Sequence, residues 1–168
     1  SLQRGGIPTK ATNVNGGCKH VFQKQLVGHG ARAPTPEDHD ILSGIIPDMI
    51  VNARNSTQGG SLGSELGGAT HIVDFKTLAG VSSYHSNGTG VTPSGVIQRR
   101  QGKVHVDYVL AVRKLGLRVH GTPAGVKGPI EQELLEYGHG GRVLGPVVGA
   151  YGGGSSDLAK LRDLAATE

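Results

Sequence analysis

The segment 45–78 constrains the fold most strongly, because it holds two short apolar runs that each carry an aspartate at one end. Asp48 directly precedes the run 49–51, and Asp74 directly follows the run 71–73. Short runs rich in Val and Ile predict β-strands. If the two strands pair as an antiparallel hairpin, Asp48 comes to lie beside Asp74, and two carboxylates converge on one point.

A lysine follows the second aspartate at a spacing of two residues. In an extended strand the side chains of Asp74 and Lys76 lie on one face, while Phe75 lies on the other. Carboxylate oxygens are the ligands that Mg²⁺ prefers in proteins. The pattern therefore predicts a divalent metal site with a cationic side chain beside it.

Pro47-Asp48 together with Asp74-Phe75-Lys76 resembles the signature of the PD-(D/E)XK (restriction-like) nuclease superfamily. The run 74–77 (DFKT) and the late Gly-rich segment 149–157 (GAYGGGSSD) are also similar to a retroelement- or mobile-element-associated protist branch. This resemblance implies an α/β fold with a restriction-endonuclease-like core of order αβββαβ, a mixed central sheet and long Gly-rich loops. It implies a metal-dependent endonuclease that hydrolyses phosphodiester bonds of DNA.

The resemblance also implies roles for individual residues, with Mg²⁺ or Mn²⁺ as the cofactor. The expected catalytic residues are Asp48, Asp74 and Lys76. The expected metal ligands are Asp48, Asp74, Phe75 through its carbonyl, and an acid from a preceding helix, Glu37. Residues 35–38 do predict a helix start, with Thr35 as the N-cap and Pro36 at the first helical position. A solvated charge at the helix start is the alternative for Glu37.

A long amphipathic helix is predicted from Pro93 to about residue 117. Its apolar stripe consists of Val104, Tyr108, Ala111 and Leu115. Basic residues lie off that stripe. The expected nucleic-acid-binding residues on this helix are Gln98, Arg99, Arg100 and Lys103. A solvated basic face, which any amphipathic helix can show, is the alternative.

The remaining elements are a third strand near 79–84, a compact helix at 129–137, a strand over 142–151 and a C-terminal helix. Pro146 within the predicted strand argues for an edge or a bulge. The Gly run 152–154 before Ser155 and Asp157 is interpreted as a strand-to-helix turn with a capping residue. An anion-binding loop is the less favoured interpretation, because the lysine of a P-loop is missing.

Composition sets the broader expectations. The chain has 168 residues, 29 of them Gly, and only 4% aromatic residues, which predicts one domain with long loops. We expect residues 1–34 to be an irregular N-terminal segment and residues 35–168 to form the nuclease-like domain. The net charge of +4 permits contact with phosphate.

A single cysteine excludes an intramolecular disulfide framework and suits a reducing compartment. No apolar run has the length of a transmembrane helix, so an intracellular protein without a membrane partner is expected. The nuclease resemblance implies a nucleic-acid partner, namely DNA. A homo-oligomer is compatible with the sequence.

Two alternatives to an active nuclease remain open at this stage. The chain could be a catalytically inactive nuclease-like fold that serves as a nucleic-acid-binding or assembly module. It could also be a Gly-rich structural protein, such as a coat or scaffold subunit, in which the two acidic strings occur by chance. The separation of the Asp48 and Asp74 carboxylates distinguishes these possibilities from a metal site.

Overall fold

A computed structural model describes residues 9–11, 21–28, 30–52, 69–78, 93–138, 140–150 and 152–166. The described elements, in chain order, are β1 (Thr9–Ala11), α1 (Gln23–Leu26), α2 (Pro36–Ser43), β2 (Met49–Asn52), β3 (Thr70–Val73), β4 (Lys76–Leu78), α3 (Pro93–His120), α4 (Pro129–Leu135), β5 (Val147–Gly149) and α5 (Ser156–Ala166). The predicted α/β class is confirmed. No helix in these ranges is long and apolar enough to cross a membrane.

The first sheet is antiparallel and has the strand order β1-β2-β3. Its central pairing joins Met49 to Val73 and Ile50 to Ile72, so the predicted hairpin is present. Side chains from both strands are buried, Ile72 and Val73 completely. Ile72 and Val73 point to opposite faces of the strand and belong to two different core clusters, so both faces of β3 are covered.

The second sheet contains β4 and β5, which are parallel. Lys76 pairs with Val147, and a single parallel bridge joins Val73 to Leu144. The stretch 144–149 therefore runs alongside both β3 and β4. Pro146 directly precedes β5, so the regular strand is shorter than the predicted 142–151. The strand predicted near 79–84 lies outside the described residues.

Helix α3 packs its apolar stripe into the main core. Val104, Tyr108 and Leu115 are buried as predicted, and Ala111 is partly buried against the same cluster. The helix continues past the predicted end at residue 117 because Val119 adds another buried side chain to the stripe. The same cluster receives side chains from α1, α2 and α4, including Leu26, Leu42, Ile130 and Leu134.

Part of the N-terminal segment also belongs to this core. Phe22 is 1% exposed and its ring meets the ring of Tyr108 edge-on, with 6.4 Å between the centroids. Leu26 is completely buried. The segment 1–34 was expected to be irregular, whereas residues 23–26 are helical and supply core side chains. Residue 34 therefore does not mark a boundary of the core.

The predicted capping residues of α2 and α5 both make hydrogen bonds at the starts of these helices. In α2, the Thr35 backbone N–H and the hydroxyl each donate to Asp38 Oδ2 at 2.8 Å, within a capping box. In α5, Ser155 Oγ accepts from the Leu158 N–H at 3.3 Å. The interpretation of the Gly run before α5 as a capped strand-to-helix turn is consistent with this contact.

Candidate active site

Asp48 directly precedes β2 and extends the pairing of the hairpin by one hydrogen bond. Its backbone N–H donates to the Val73 carbonyl at 3.0 Å. Its carboxylate Oδ2 accepts the Phe75 N–H at 2.7 Å. Because both contacts reach the end of β3, the exposed Asp48 side chain is fixed next to the residues that follow that strand.

Asp74 occupies the connection between β3 and β4, and it is 5% exposed. Its backbone N–H donates to the Leu144 carbonyl at 3.0 Å. Its Oδ1 accepts from Lys76 Nζ at 2.6 Å. The structure thus brings Asp74 and Lys76 together on one face, as their spacing predicts, with Asp48 beside them.

Burial has the largest effect on the pKa of Asp74. Desolvation raises the pKa of the Asp74 carboxyl, because a buried charge loses its hydration. Lys76 opposes this effect through its hydrogen bond and its charge, and the nearby negative charge of Asp48 adds to the rise. The net pKa of Asp74 is raised.

These residues fit a hard divalent cation in their chemistry. Asp48 and Asp74 supply two carboxylates, and the Phe75 carbonyl belongs to the same short connection. In the described part of the chain, no cluster of three or more His, Cys, Asp or Glu side chains could hold a metal ion. Further ligands would have to be backbone carbonyl oxygen or water, which Mg²⁺ accepts readily.

Glu37 does not join the two aspartates. Its carboxylate binds Arg118 Nη2 at 2.8 Å and lies 3.7 Å from Lys114 Nζ. Both partners belong to the C-terminal part of α3, because α2 packs against that helix. Two cations four residues apart on α3 form a natural partner for an acid on α2, and this accounts for the position of Glu37.

The neighbouring acid, Asp38, is completely buried and binds two arginines. Arg118 Nε donates to Oδ1 at 2.7 Å, and Arg32 Nη2 lies 2.7 Å from Oδ2. Burial alone would raise the pKa of Asp38, but hydrogen bonds from Arg118, Thr35 and Arg32 outweigh it and hold the pKa well below its usual range. This cluster joins the segment before α2 to α3.

The predicted nucleic-acid-binding residues lie on the N-terminal half of α3. Gln98 and Arg99 are exposed, and Arg100 is partly buried. Lys103 Nζ binds both carboxylate oxygens of Asp107, at 2.7 and 2.8 Å. The exposed surface of α3 thus presents Arg99 directly, whereas Lys103 is engaged in an ion pair with the next turn of its own helix.

Gln101 is a polar residue of α3 whose side chain contacts the start of α5. Its Nε2 contacts Ser156 Oγ at 3.0 Å, and its Oε1 accepts the Asp157 N–H at 3.0 Å. Sequence reasoning missed this residue. Its position three residues before Val104 places it on the buried stripe, and this spacing is the signal that could have identified it.

Asp157 and Ser155, both buried, support the stretch that receives the amides of Asp74 and Lys76. Asp157 accepts from the Gly145 N–H at 3.0 Å, and Ser155 Oγ accepts from the Val147 N–H at 2.9 Å. The Pro146 carbonyl between them accepts the Lys76 N–H at 2.9 Å. The sequence indicated only a helix start here.

Comparison of the chain with protein-family models, with curated proteins and with solved structures finds no match. The candidate site consists of Asp48, Asp74 and Lys76 at the end of the hairpin.

Proposed function

We propose that the protein is a metal-dependent endonuclease that hydrolyses phosphodiester bonds of DNA. The observation that carries this proposal is the convergence of Asp48, Asp74 and Lys76 at the end of the β2–β3 hairpin. Asp48 contacts the Phe75 N–H at 2.7 Å, and Lys76 contacts Asp74 at 2.6 Å. Two carboxylates can hold a divalent cation, and that cation together with the adjacent ammonium would stabilise a phosphate that gains negative charge.

The order of the elements also supports the proposal. Helix α2 precedes the hairpin, α3 follows it, and β5 returns parallel to β4. This order agrees with the αβββαβ core that the resemblance to PD-(D/E)XK nucleases implies. The structure departs from that core in two respects, because α4 lies between α3 and β5 and the strands form two sheets, β1-β2-β3 and β4-β5, instead of one mixed sheet. The stretch 144–149 runs parallel to both β3 and β4 and so connects the two sheets.

Each residue has a distinct role in the proposed reaction. Asp48, Asp74 and the Phe75 carbonyl would hold Mg²⁺ or Mn²⁺. When bound, the ion would lower the pKa of water and neutralise charge on the phosphate. Lys76 orients the attacking water and stabilises negative charge on the phosphate through its ammonium. We assign it this role because its Nζ is held in place by Asp74.

Plasmid nicking tests the proposal. Supercoiled DNA is incubated with the protein and either Mg²⁺, Mn²⁺ or EDTA, and the open-circular product is quantified on a gel. We expect metal-dependent nicking by the wild type and none by Asp74→Ala. Asp40→Ala, which removes an exposed acid on α2, is the matched control and keeps full activity. Equal nicking by the Asp74 and Asp40 variants would contradict the proposal.

Metal binding has a second readout that does not depend on turnover. A cation that binds only the folded protein stabilises it by about 2.7 kcal/mol when present at a hundredfold excess over its Kd. We expect Mn²⁺ to raise the melting temperature of the wild type relative to EDTA. Asp74→Asn should melt at the same temperature with both additions, while Asp107→Asn should respond like the wild type.

One observation favours a second candidate function, a nucleic-acid-binding or assembly module without cleavage. The Asp74 carboxylate is already engaged by Lys76, and the described residues offer no third acid at this point. In that case duplex DNA binds, no metal promotes nicking, and Mn²⁺ leaves the melting temperature unchanged. The two experiments above therefore separate the two candidates.

A further inference from the structure

Helix α3 exposes a line of large apolar side chains on the side away from the core. Val106, Leu110 and Leu117 are 50%, 59% and 58% exposed. Their spacing of four and seven residues places them on one face of the helix. Val126, from the loop 121–128, is 57% exposed and lies near the C-terminal end of this line. We call these four residues the exposed apolar stripe, to distinguish them from the buried stripe on the opposite side of α3.

The stripe ends in a hollow of about 410 Å³ between α3 and the loop 121–128. Leu117, Pro123 and Val126 contribute apolar walls, and Arg113, Lys114 and Lys127 contribute cations. A volume of this size accommodates one or more side chains of a ligand. Because the walls are apolar and the cations surround them, the hollow suits an apolar group that is flanked by negative charge.

The charge around the hollow is positive after the ion pairs are counted. Its lining holds three cations against one carboxylate, Glu131. Arg113 binds Glu131 at 3.0 Å, and Lys114 lies 3.7 Å from the exposed Glu37. No carboxylate in the described part of the chain is within ion-pair distance of Lys127. An acidic ligand would therefore find uncompensated positive charge here.

The loop that forms the hollow is tied to the helix before any ligand binds. The Thr122 N–H donates to the Gly116 carbonyl at 3.2 Å, and the Val126 N–H donates to the Pro123 carbonyl at 3.1 Å. Gly121 and Gly125 have φ of 62° and 84°, which other residues rarely adopt. A loop already held in one conformation lowers the entropic cost of binding.

We propose that the exposed apolar stripe and the hollow bind an acidic amphipathic helix of a partner protein. Its apolar side chains would lie along Val106, Leu110 and Leu117, with one inserted into the hollow, and its acids would face Arg113 and Lys127. This is the helix-in-groove mode of recognition. A nucleic-acid backbone would match the cations but would leave the exposed leucines without a contact, so a protein partner accounts for more of the surface.

This surface is separate from the candidate active site. Gln101, which contacts the start of α5, and Val106, where the exposed line begins, are five residues apart and therefore about 140° apart around α3. The proposal does not depend on nuclease activity, and its test measures no cleavage.

The probe is a fluorescein-labelled synthetic peptide of about four helical turns, with leucines along one face and glutamates on the others. Fluorescence anisotropy measures its Kd for the full chain. We expect the double variant Leu117→Ser, Lys127→Ser to raise Kd about tenfold. The matched control is Lys24→Ser, Val27→Ser, which removes an exposed lysine and a 67% exposed valine near α1 and should leave Kd unchanged.

Two further probes separate this surface from simple charge attraction. A glutamate-rich peptide in which serine replaces every leucine should bind at least about tenfold more weakly than the leucine peptide. Leu117→Ser alone, which keeps Lys127, should weaken binding of the leucine peptide and leave binding of duplex DNA unchanged. The proposal is overturned if the leucine peptide does not bind, if both peptides bind equally, if the control variant loses as much affinity, or if DNA affinity falls with Leu117→Ser.

Discussion

The buried carboxylate of Asp157 accepts a hydrogen bond from the backbone N–H of Gly145 at 3.0 Å. The same carboxylate binds Arg142 Nη2 at 2.9 Å through its other oxygen. Gly145 follows Leu144, whose carbonyl receives the Asp74 amide. An acid at the start of α5 thus supports the backbone that orients Asp74.

Removal of the charge of Asp157 should destabilise the protein. Asp157→Asn replaces one carboxylate oxygen with an NH2 group, which cannot accept a hydrogen bond, so either the Gly145 N–H or Arg142 loses its acceptor. A buried donor without its partner costs about 1–3 kcal/mol. Urea denaturation measures the free energy of unfolding. Asp107→Asn is the control, since its ion pair is exposed and should contribute less than about 1 kcal/mol. Equal losses for both variants would contradict a supporting role for Asp157.

Adjacent acids on α2 should differ widely in their contribution to stability. Asp38→Ala removes a cap and two charge-assisted hydrogen bonds at a fully buried position, and we expect a loss of about 2–4 kcal/mol. Glu37→Ala breaks a contact to the same Arg118, but Glu37 is 57% exposed and solvent screens the pair, so the loss should stay below about 1 kcal/mol. Chemical denaturation of both variants provides the comparison.

The pH dependence of the Asp38 contribution has a definite sign. Its pKa is lowered in the folded state, so the stabilisation is complete above the ordinary value of 3.8 and is lost as the pH falls through the folded-state pKa. The difference in unfolding free energy between the wild type and Asp38→Ala should therefore shrink in acid. A difference that is constant with pH would assign the effect to packing.

Asp74 should show the opposite sign. Its pKa is raised in the folded state, chiefly by burial, so the folded protein binds the proton more tightly than the unfolded chain. Stability from this group is fully present below 3.8 and is lost as the pH rises through the folded-state pKa. Without metal, Asp74→Asn should gain stability relative to the wild type across that window. Urea denaturation in EDTA at several pH values measures the gain, and a strong loss at every pH would show a structural ion pair instead.

The basic face of α3 should reveal itself in the salt dependence of DNA binding. Each lost phosphate contact lowers the slope of log K against log salt by about 0.9. We expect Arg99→Ala, Arg100→Ala to flatten the slope, and Lys103→Ala to have a smaller effect because Asp107 already holds its ammonium. Arg162→Ala, at an exposed arginine on α5, is the control. An unchanged slope for the Arg99, Arg100 variant would indicate a solvated face.

Local patterns predicted several elements correctly for physical reasons. The hairpin follows from two short runs of β-branched residues, which favour strands, and Ile72 and Val73 are buried on opposite faces of β3. The start of α2 follows from Thr35 at the N-cap and Pro36 at the first helical position, where its missing N–H and fixed φ suit the helix. The stripe from Val104 to Leu115 follows from the period of the helix. Each of these signals lies within a short window of sequence.

Contacts between distant segments could not be predicted in this way. Glu37 was expected near Asp48, but its location depends on which part of α3 packs against α2. Gln101 and Asp157 are 56 residues apart in sequence and meet only because α5 returns to α3. Phe22 likewise enters the core through a tertiary contact with Tyr108. The packing of helices decides all of these positions, and a single sequence does not encode it in a local pattern.

The parallel pairing of β4 with β5 has a consequence for the order of folding. Lys76 pairs with Val147, and both α3 and α4 lie between these two residues in the sequence. Met49 and Val73, by contrast, pair within one hairpin. Contacts between residues far apart in the chain form slowly, because closing a long loop costs entropy before the contact is made. During synthesis Asp48 and Asp74 can meet before β5 has emerged, but the Leu144 and Pro146 carbonyls that hold Asp74 and Lys76 arrive later. The geometry around Asp74 is therefore completed only after residues 144–149 have been made.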